Sequence, residues 1–415
     1  MKATIMCIGD EVLCGDVLNS NGTFFAKELT EIGIEVVKHV VVSDDEDMVE
    51  GAFMDAVKLS DVIITTGGLG PTLDDMTKEA IAKVTNRPLE ENEEARKHVE
   101  SYFIRKGKDY VLTPNNYRQA LFPKGAKILD NDRGTAPGAL LEIEDKMIIM
   151  LPGPPRENTN MYYKHIKEYL VNKLNKFFAV KDYMTSGIGE SEIEYKLRDL
   201  LPDIEGVNVN TYFNDSGVKV KAVSKADNLK HAVENLDKVD KIITSNFKEY
   251  IYSVKGETLP QKLIATLKEK GLTFSCAESC TGGLLASYIT EIAGASEVFM
   301  GSAVTYTNEV KHSLLGVKEE TLKKYGAVSA NCVEEMVVGC AKCFNTDVAI
   351  SISGIAGPGG GSEEKPVGTV YMGFYYNGKV TSKLYNITGE RKRVQTRSAY
   401  YAINNILKII DENID

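Results

Sequence analysis

Three residues in the last third of the sequence have the types and spacing needed for nucleophilic catalysis: Ser279, Tyr306 and Lys311. A serine hydroxyl needs a base before it becomes a good nucleophile at neutral pH. A lysine can be that base when burial depresses its pKa, and a nearby tyrosine can orient or relay the proton. His312, the only histidine of this region, has no partner pattern, which argues against a Ser-His-Asp triad. From the residues alone, Lys311 is a better candidate base than His312, but this triple is only one of several choices. Most lysines are surface charges, so that alternative stays open.

The elements around Ser279 indicate a strand, a tight turn and a helix. Leu272 to Cys276 is a β-rich apolar run, and apolar residues resume at helical spacing from Leu284 to Ile289. The serine lies in the turn, where backbone N–H groups at the start of a helix can hold an oxyanion. The N–H groups predicted to do so are those of Thr281, Gly282 and Gly283. In the alternative, Ser279 or Thr281 only caps the helix.

A second glycine-rich segment, Gly354 to Gly361, follows the predicted strand Asp347 to Ser353. Such a loop suits the phosphate and ribose of a nucleotide, because its amides can point inward without a Cβ clash. The guanidinium of Arg391, at the start of the last predicted helix, could add a charge-assisted contact to that phosphate. The predicted binding residues are Ser353, Gly354, Gly357, Gly359, Gly360 and Arg391. A flexible turn and a solvated arginine are the alternatives.

The first 172 residues alternate between predicted strands and helices. This alternation predicts a mainly parallel sheet, with ligands beyond the carboxyl ends of its strands. The predicted strands are Ala3 to Ile8, Ile34 to Val42 and Asp61 to Thr66, and the predicted helices are Thr23 to Ile32, Asp47 to Leu59 and Met76 to Val84. Polar and glycine-rich segments fall at the expected strand ends, so this region is predicted to bind a ligand there.

The loop from Gly67 to Asp75 is suited to phosphate, and Gly67, Gly68 and Gly70 are its predicted binding residues. Carboxylates beside a phosphate repel it unless a cation intervenes. Asp10, Asp74 and Asp75 therefore predict Mg²⁺ or a similar divalent metal. In the alternative, these aspartates only cap a helix or make a turn.

Composition limits the classes of function. A chain of 415 residues predicts two or three domains. The net charge of -10 gives no reason to expect nucleic acid or an anionic membrane as the main partner. Seven cysteines, with no apolar span of 18 residues and no signal peptide, favour a cytoplasmic protein with reduced thiols. The Cys340 and Cys343 pair lies at helical spacing and favours core packing over a zinc site.

Several motifs resemble those of the competence/damage-inducible protein A (CinA) family. GDEVLCGD, TTGGLGPTLDD, GTAPG and LPGPPRE resemble its amino-terminal domain, which is itself similar to molybdopterin-binding domains. AESCTGG, VTYTNEVK and SGIAGPGGG resemble its carboxyl-terminal domain and the stand-alone nicotinamide mononucleotide deamidases. The resemblance implies a multidomain α/β protein with three parts: a molybdopterin-binding-like domain (1–172), a small KH-like α+β domain (173–252) and an α/β deamidase domain (253–415).

The middle region also shows a charge balance that bears on nucleic acid. Residues 173–252 contain 12 Lys plus Arg and 13 Asp plus Glu, without a true G-x-x-G loop. The electrostatic footprint of an RNA-binding module is missing, so a spacer or dimerisation role is favoured.

The resemblance further implies two activities on small nucleotides. At the carboxyl end, Ser279 matches the family's nucleophile, and Tyr306 and Lys311 complete a site that deamidates nicotinamide mononucleotide without a cofactor. At the amino end, the family implies metal-dependent hydrolysis of ADP-ribose, with Asp75 at the position that handles a metal or the pterin phosphate. A homodimer is expected from the family alone. Pterin-nucleotide chemistry, or a regulatory role with one or both sites inactive, remains as the alternative.

Three departures from the family pattern stand in the sequence. Asn158 stands where Met is usual, Glu390 stands where an Asp usually precedes Arg391, and Gln395 replaces a frequent Arg. The last two bear on phosphate binding, and the predicted catalytic residues are intact.

Overall fold

The computed structural model describes residues 1–72, 74–106, 111–174, 177–201 and 204–412. The chain divides into two compact units, and each unit has its own core. One unit comprises Met1–Phe178 and Lys225–Ala232, and the other comprises Ala179–Ser224 and Val233–Asp415. None of the helices in these described ranges is long and apolar enough to cross a membrane.

The first unit is built on a six-stranded sheet whose strand order is β2-β1-β3-β8-β7-β6. Its strands, with a separate β4-β5 pair, are β1 (Lys2–Ile8), β2 (Glu35–Val42), β3 (Val62–Thr66), β4 (Leu89–Glu91), β5 (Leu121–Pro123), β6 (Lys127–Leu129), β7 (Gly138–Ile143) and β8 (Lys146–Leu151). β2, β1, β3 and β8 pair in parallel, whereas β7 and β6 add antiparallel strands at one edge. The predicted parallel sheet is therefore present, and the antiparallel edge extends it.

Helices cover both faces of this sheet, which explains why β3 is buried along its whole length. They are α1 (Asp10–Leu13), α2 (Ser20–Glu31), α3 (Glu46–Leu59), α4 (Thr77–Val84), α5 (Glu93–Lys106), α6 (Pro155–Met161) and α7 (Lys167–Lys173), with a 3₁₀ helix Pro114–Ala120 and a π-helical turn Tyr162–Ile166. The glycine loop lies between β3 and α4, at the carboxyl edge of the parallel strands.

The second unit contains two sheets. The smaller has the order β10-β11-β9-β12 and packs α8 and α9 against one core. Its elements are β9 (Phe177–Thr185), α8 (Glu190–Leu200), β10 (Val207–Asn214), β11 (Gly217–Ala226), α9 (Leu229–Phe247) and β12 (Ile251–Ser253). The predicted small α+β module is present.

The larger sheet of the second unit has the order β14-β13-β15-β16-β17. Its elements are α10 (Leu259–Lys270), β13 (Phe274–Glu278), α11 (Leu284–Thr290), a 3₁₀ turn Ala295–Glu297, β14 (Phe299–Val304), α12 (Asn308–Leu315), α13 (Glu319–Tyr325), α14 (Ala330–Phe344), β15 (Val348–Gly354), β16 (Thr369–Tyr376), β17 (Lys379–Asn386) and α15 (Arg391–Glu412). β14, β13 and β15 are parallel, so their carboxyl ends meet at one edge. This sheet confirms the predicted α/β class of the region.

Candidate active site

Ser279 comes directly after β13, a strand that is buried at all five positions. The strand was predicted two residues too early, and its true end places Glu278 inside the strand and the serine at the carboxyl edge of the sheet. Gly282 (φ 65°) and Gly283 (φ 98°) then adopt left-handed conformations that lead into α11. Residues with a Cβ rarely adopt this backbone geometry, which accounts for the paired glycines.

Lys311 reaches the serine from α12. Its Nζ lies 3.0 Å from Ser279 Oγ and donates to Thr305 O at 2.8 Å. Thr305 is held at the same sheet edge because its N–H donates to Glu278 O at 2.7 Å. The lysine side chain is almost fully buried, and this burial lowers the pKa of its ammonium group. A buried lysine with a depressed pKa beside a serine hydroxyl is suited to accept that hydroxyl's proton.

Glu278 has a role that the sequence did not reveal. Its buried carboxylate accepts from Gly283 N and Leu285 N at 3.0 Å and from Ala286 N at 2.9 Å. These amides open α11, so the helix start already holds an anion from its own chain. Charge-assisted hydrogen bonds of this kind are stronger than hydrogen bonds between neutral groups. Glu278 therefore fixes the conformation of the turn that carries Ser279, and we call this set of three hydrogen bonds the Glu278 clamp.

This clamp corrects the predicted oxyanion site. Gly283 N is bound to Glu278, and Gly282 N donates to Ser279 O at 3.1 Å, so neither amide is free for a substrate. Thr281 differs from both glycines. Within the described residues its backbone N–H has no hydrogen-bond acceptor, and its buried hydroxyl has no partner.

Tyr306 does not make the contact that proton transfer would require. Its side chain is 61% exposed, and its hydroxyl accepts from Arg391 Nη2 at 3.2 Å. In the described part of the chain no hydrogen bond joins it to Ser279 or Lys311. The expected relay role is thus not supported by these contacts, because Thr305, one residue earlier, is the one that faces the lysine.

Arg391 connects Tyr306 to the second glycine loop, since its Nη1 also donates to Gly357 O at 2.8 Å. Not every predicted residue of this loop is placed for a ligand. Gly354 is required by packing, because a Cβ there would lie 2.7 Å from the Val370 side chain. Ser353 is likewise turned inward, and its hydroxyl donates to Ala327 O at 2.8 Å.

The remaining glycines of the loop also fall into two groups, those that packing requires and those with open space beside them. A Cβ at Gly357 (φ 82°) would lie 2.6 Å from Val367. A Cβ at Gly359 would meet no atom, and one at Gly360 (φ 87°) would make only ordinary contact with Ile355 at 3.8 Å. Gly359 and Gly360 are therefore the loop residues that remain suited to a phosphate, together with Arg391 at the start of α15.

Gln395 was flagged in the sequence only as a departure. Its Nε2 donates to Cys280 O at 2.8 Å, from α15 to the turn that carries the nucleophile. It thus ties this turn to the last helix.

In the first unit, Gly67, Gly68 and Gly70 line a cavity of about 350 Å³, which we call the glycine-loop cavity. Its wall also includes Glu11, Asp44, Asp75, Gln119, Thr135 and Glu157. Asp75 binds its own loop: its carboxylate accepts from Gly70 N and Thr72 N, both at 2.8 Å. The carboxylate thus orders the loop at the cavity wall. Gly67 N donates to Leu151 O at 3.1 Å and Gly70 N donates to Asp75, so the amides of these two glycines are not free for a phosphate, which corrects that prediction.

Of the three predicted metal ligands, only Asp75 is among the residues that line this cavity. Asp10 Oδ1 accepts from Asp44 N, and Asp74 is exposed in the turn before α4. Asp44, which the sequence did not single out, lies on the cavity wall. Burial raises the pKa of its carboxyl, and repulsion from Asp10, Glu11 and Asp75 adds to the shift.

Across the described ranges, no three or more His, Cys, Asp or Glu side chains are grouped so as to hold a metal ion. The carboxylates at the glycine-loop cavity therefore do not form a complete protein cage. Asp44 and Asp75 line the same cavity, and both oxygens of Asp75 already accept hydrogen bonds from its own loop.

Comparison with known families agrees with the three-part organisation. Residues 4–172 match a family model described as a "Probable molybdopterin binding domain". Residues 181–253 match the KH domain of damage-inducible protein CinA, and residues 256–410 match the CinA C-terminal domain.

Similar proteins cover nearly the whole chain. A competence-damage inducible protein of Clostridium beijerinckii is 41% identical over 410 residues, covering 99% of this chain and 100% of the relative. A CinA-like protein of Kosmotoga olearia is also 41% identical over 410 residues, covering 99% of both chains. Among solved structures, the competence/damage inducible protein CihA of Agrobacterium tumefaciens is 39% identical, with 37% of this chain and 93% of that chain covered and a TM-score of 0.36.

Proposed function

Because the chain belongs to the CinA family, we propose that its carboxyl-terminal domain is a serine amidase that converts nicotinamide mononucleotide to nicotinic acid mononucleotide and ammonia. The observation that supports this most strongly is the 3.0 Å contact between Lys311 Nζ and Ser279 Oγ at a buried sheet edge. A nucleophile within hydrogen-bond reach of a base that is itself oriented by a third group is the expected arrangement for covalent catalysis. Here the orienting group is Thr305 O.

In the first half-reaction, Lys311 acts as a neutral amine and takes the proton of Ser279. The serine oxygen attacks the carboxamide carbon, and a tetrahedral intermediate forms. Lys311 then returns the proton to the departing nitrogen, so that ammonia leaves and an acyl ester remains on Ser279. The depressed pKa of Lys311 raises the fraction of neutral amine near pH 7, which favours this step.

In the second half-reaction, Lys311 takes a proton from water, and the resulting hydroxide attacks the ester carbon. The ester bond breaks, Lys311 returns its proton to Ser279, and the carboxylic acid product loses its own proton to solvent and leaves as the carboxylate. The oxyanion is stabilised by the N–H and the hydroxyl of Thr281, because the amides of Gly282 and Gly283 already donate to Ser279 O and Glu278. The substrate phosphate is assigned to Gly359, Gly360 and Arg391.

Ammonia release from nicotinamide mononucleotide tests the proposal. Ser279→Ala is expected to lose activity by about 10³-fold or more, because the nucleophile is removed. Ser287→Ala is the matched control, since Ser287 is an exposed serine on the adjacent helix α11. A chelator should leave the wild-type rate unchanged. Near wild-type activity in Ser279→Ala would refute the assignment.

We further propose that the amino-terminal domain cleaves ADP-ribose to AMP and ribose 5-phosphate. The supporting observation is the glycine-loop cavity, whose wall includes the carboxylates of Glu11, Asp44 and Asp75. A divalent cation bound there with the substrate would screen the pyrophosphate charge, and Asp44 and Asp75 are the carboxylates suited to hold it. Chelation, or Asp44→Asn, should remove this activity without affecting ammonia release. Unchanged ADP-ribose hydrolysis in chelator would refute the role of the metal.

A further inference from the structure

The first turns of α15 contact two parts of the amidase site. Arg391 donates to Gly357 O in the second glycine loop, and Gln395, one turn later, donates to Cys280 O at 2.8 Å. Residues four apart lie on the same face of a helix, so both contacts are made from one side of α15. Because Cys280 directly follows Ser279, a shift of this end of α15 would move the residue beside the nucleophile.

The contact between Gln395 and Cys280 has a fixed polarity. A carbonyl oxygen can only accept, so the amide nitrogen of Gln395 faces the turn. The Glu278 clamp holds the turn by amides at the start of α11, and Gln395 holds it by a carbonyl from α15. The position of Ser279 therefore depends on α15 as well as on α11.

The opposite side of α15 contacts the β10–β11 hairpin of the smaller sheet, which belongs to the same compact unit. Arg397 follows Gln395 by two residues, and residues two apart on a helix point to nearly opposite sides. The guanidinium carbon of Arg397 lies 5.6 Å from the centroid of the Phe213 ring, within the range of a cation–π contact. Arg397 Nε is buried and has no hydrogen-bond partner among the described residues. The guanidinium is therefore held by the ring and not by a hydrogen bond from Nε.

The tip of the hairpin also lies near the next turn of α15. Tyr400 stacks on Tyr288 of α11, with the ring centroids 5.1 Å apart. Burial raises the pKa of Tyr400 to about 12, and Tyr288 and the carboxylates of Asp215 and Glu291 add to the shift. Asp215 lies in the turn between β10 and β11. The hairpin tip, α15 and α11 are therefore close together at this point.

The hairpin contact is peripheral to the core of α15. Phe213 is 53% exposed, whereas Ala399, Ala402 and Ile403 of α15 are completely buried. Removal of the Phe213 ring therefore leaves the core packing of the helix in place and changes only the restraint on its first turns. A contact of this kind adjusts geometry without deciding whether the helix forms.

We propose, building on the serine amidase function above, that the β10–β11 hairpin positions the amidase site through α15. Phe213 restrains Arg397 and with it the first turns of α15. Gln395, in these turns, holds Cys280 and thereby keeps Ser279 against Lys311. Phe213 and Gln395 are positioning residues, since they act through Arg397 and Cys280. The small α+β module thereby acts on the amidase reaction.

Steady-state rates of ammonia release from nicotinamide mononucleotide test this proposal in the full chain. Phe213→Ala should lower kcat about threefold to tenfold with KM unchanged, the range expected when one cation–π contact is lost. Phe213→Tyr keeps an aromatic face and should retain the wild-type kcat. Tyr212→Ala is the matched control, because Tyr212 is 49% exposed and neighbouring residues of a strand point to opposite faces.

A double-mutant cycle determines whether the two positioning residues act together. Gln395→Ala should lower kcat about tenfold, the loss expected when one hydrogen bond is removed. Adding Phe213→Ala should lower kcat no further, because the link from the hairpin to the turn is already cut. Additive losses, an unchanged kcat in Phe213→Ala, or an equal loss in Tyr212→Ala would each overturn the proposal.

Hydrogen exchange separates this proposal from the amidase function on which it rests. The backbone amides of the turn that carries Ser279, followed by mass spectrometry, should exchange faster in Phe213→Ala than in Tyr212→Ala. Absence of ammonia release from wild type, with this difference in exchange intact, would refute only the amidase function. Equal exchange in the two variants would overturn the positioning role.

Discussion

The turn after β13 and the turn after β3 share one plan, in which a buried parallel strand leads through glycines to a helix, yet their carboxylates differ in position. Glu278 precedes its turn and binds three amides at the start of α11. Asp75 follows its glycines and binds the amides of Gly70 and Thr72 within the loop. The first arrangement closes the helix start and leaves Ser279 as the reactive group. The second orders a loop that lines an open cavity.

Glycine content alone does not define an anion site. What matters is which amides the chain itself has already satisfied. In the β13 turn the reactive pair is Ser279 and Lys311, and the local anion is structural. At the cavity that the β3 turn lines, burial raises the pKa of Asp44, and repulsion from Asp10, Glu11 and Asp75 adds to the shift; a cation would relieve that repulsion.

The largest effect should come from Lys311→Met. Loss of the base is expected to lower amidase activity by about 10³-fold or more. The same change replaces a buried amine, whose charged form is disfavoured by burial, with an apolar side chain, so the free energy of unfolding should rise by about 0.5–2 kcal/mol, the usual gain when an active-site compromise is relieved. Ammonia release and chemical denaturation measure the two effects. Lys318→Met, at an exposed lysine of the same region, is the control. An inactive and destabilised Lys311→Met protein would indicate a structural lysine instead.

A smaller loss is expected for Glu278→Gln. One of the two carboxylate oxygens becomes an NH₂ group, which cannot accept from the α11 amides, and this should cost about 1–3 kcal/mol of stability. A shifted turn should lower kcat by about 10- to 100-fold while KM changes little, because the serine is displaced and the substrate-binding residues are not. Asp75→Asn should leave amidase kcat unchanged. Equal losses of kcat in both variants would break the distinction between the two turns.

The sequence predicted elements best where local signals are strong. The predicted helix Asp47 to Leu59 matches α3 to within one residue, and Asp45 caps the start of this helix by accepting from Met48 N. Ser279 and Lys311 were also predicted, and the structure brings them together. Their pairing requires two neighbouring parallel strands, which the alternating pattern of strands and helices implies.

Other parts depended on side-chain direction, which spacing does not give. Tyr306 was expected at the lysine, but Thr305 faces it, and Tyr306 lies on the exposed side with Arg391. Glu278 stood in a quoted motif without a role, since three amide partners become visible only when the turn is built.

The smallest effect concerns Asp44. Its pKa is raised in the folded protein, so ionised Asp44 destabilises the fold once the pH exceeds the folded pKa, and this penalty disappears below the unfolded pKa of about 3.9. Asp44→Asn should therefore melt about 1–3 °C higher than wild type at pH 7 in chelator, and the difference should vanish near pH 3. Thermal melts at both pH values check this. A variant that melts lower than wild type at pH 7 would contradict the crowding of carboxylates.

The nucleophilic role of Ser279 is tested most directly by trapping the ester that it is proposed to form. Wild type and Ser279→Ala would turn over nicotinamide mononucleotide in the presence of hydroxylamine, which intercepts an acyl-enzyme as the hydroxamate. Wild type should form the nucleotide hydroxamate in proportion to hydroxylamine concentration, and Ser279→Ala should form none. Wild-type turnover that yields nicotinic acid mononucleotide alone, at every hydroxylamine concentration, would contradict a serine nucleophile.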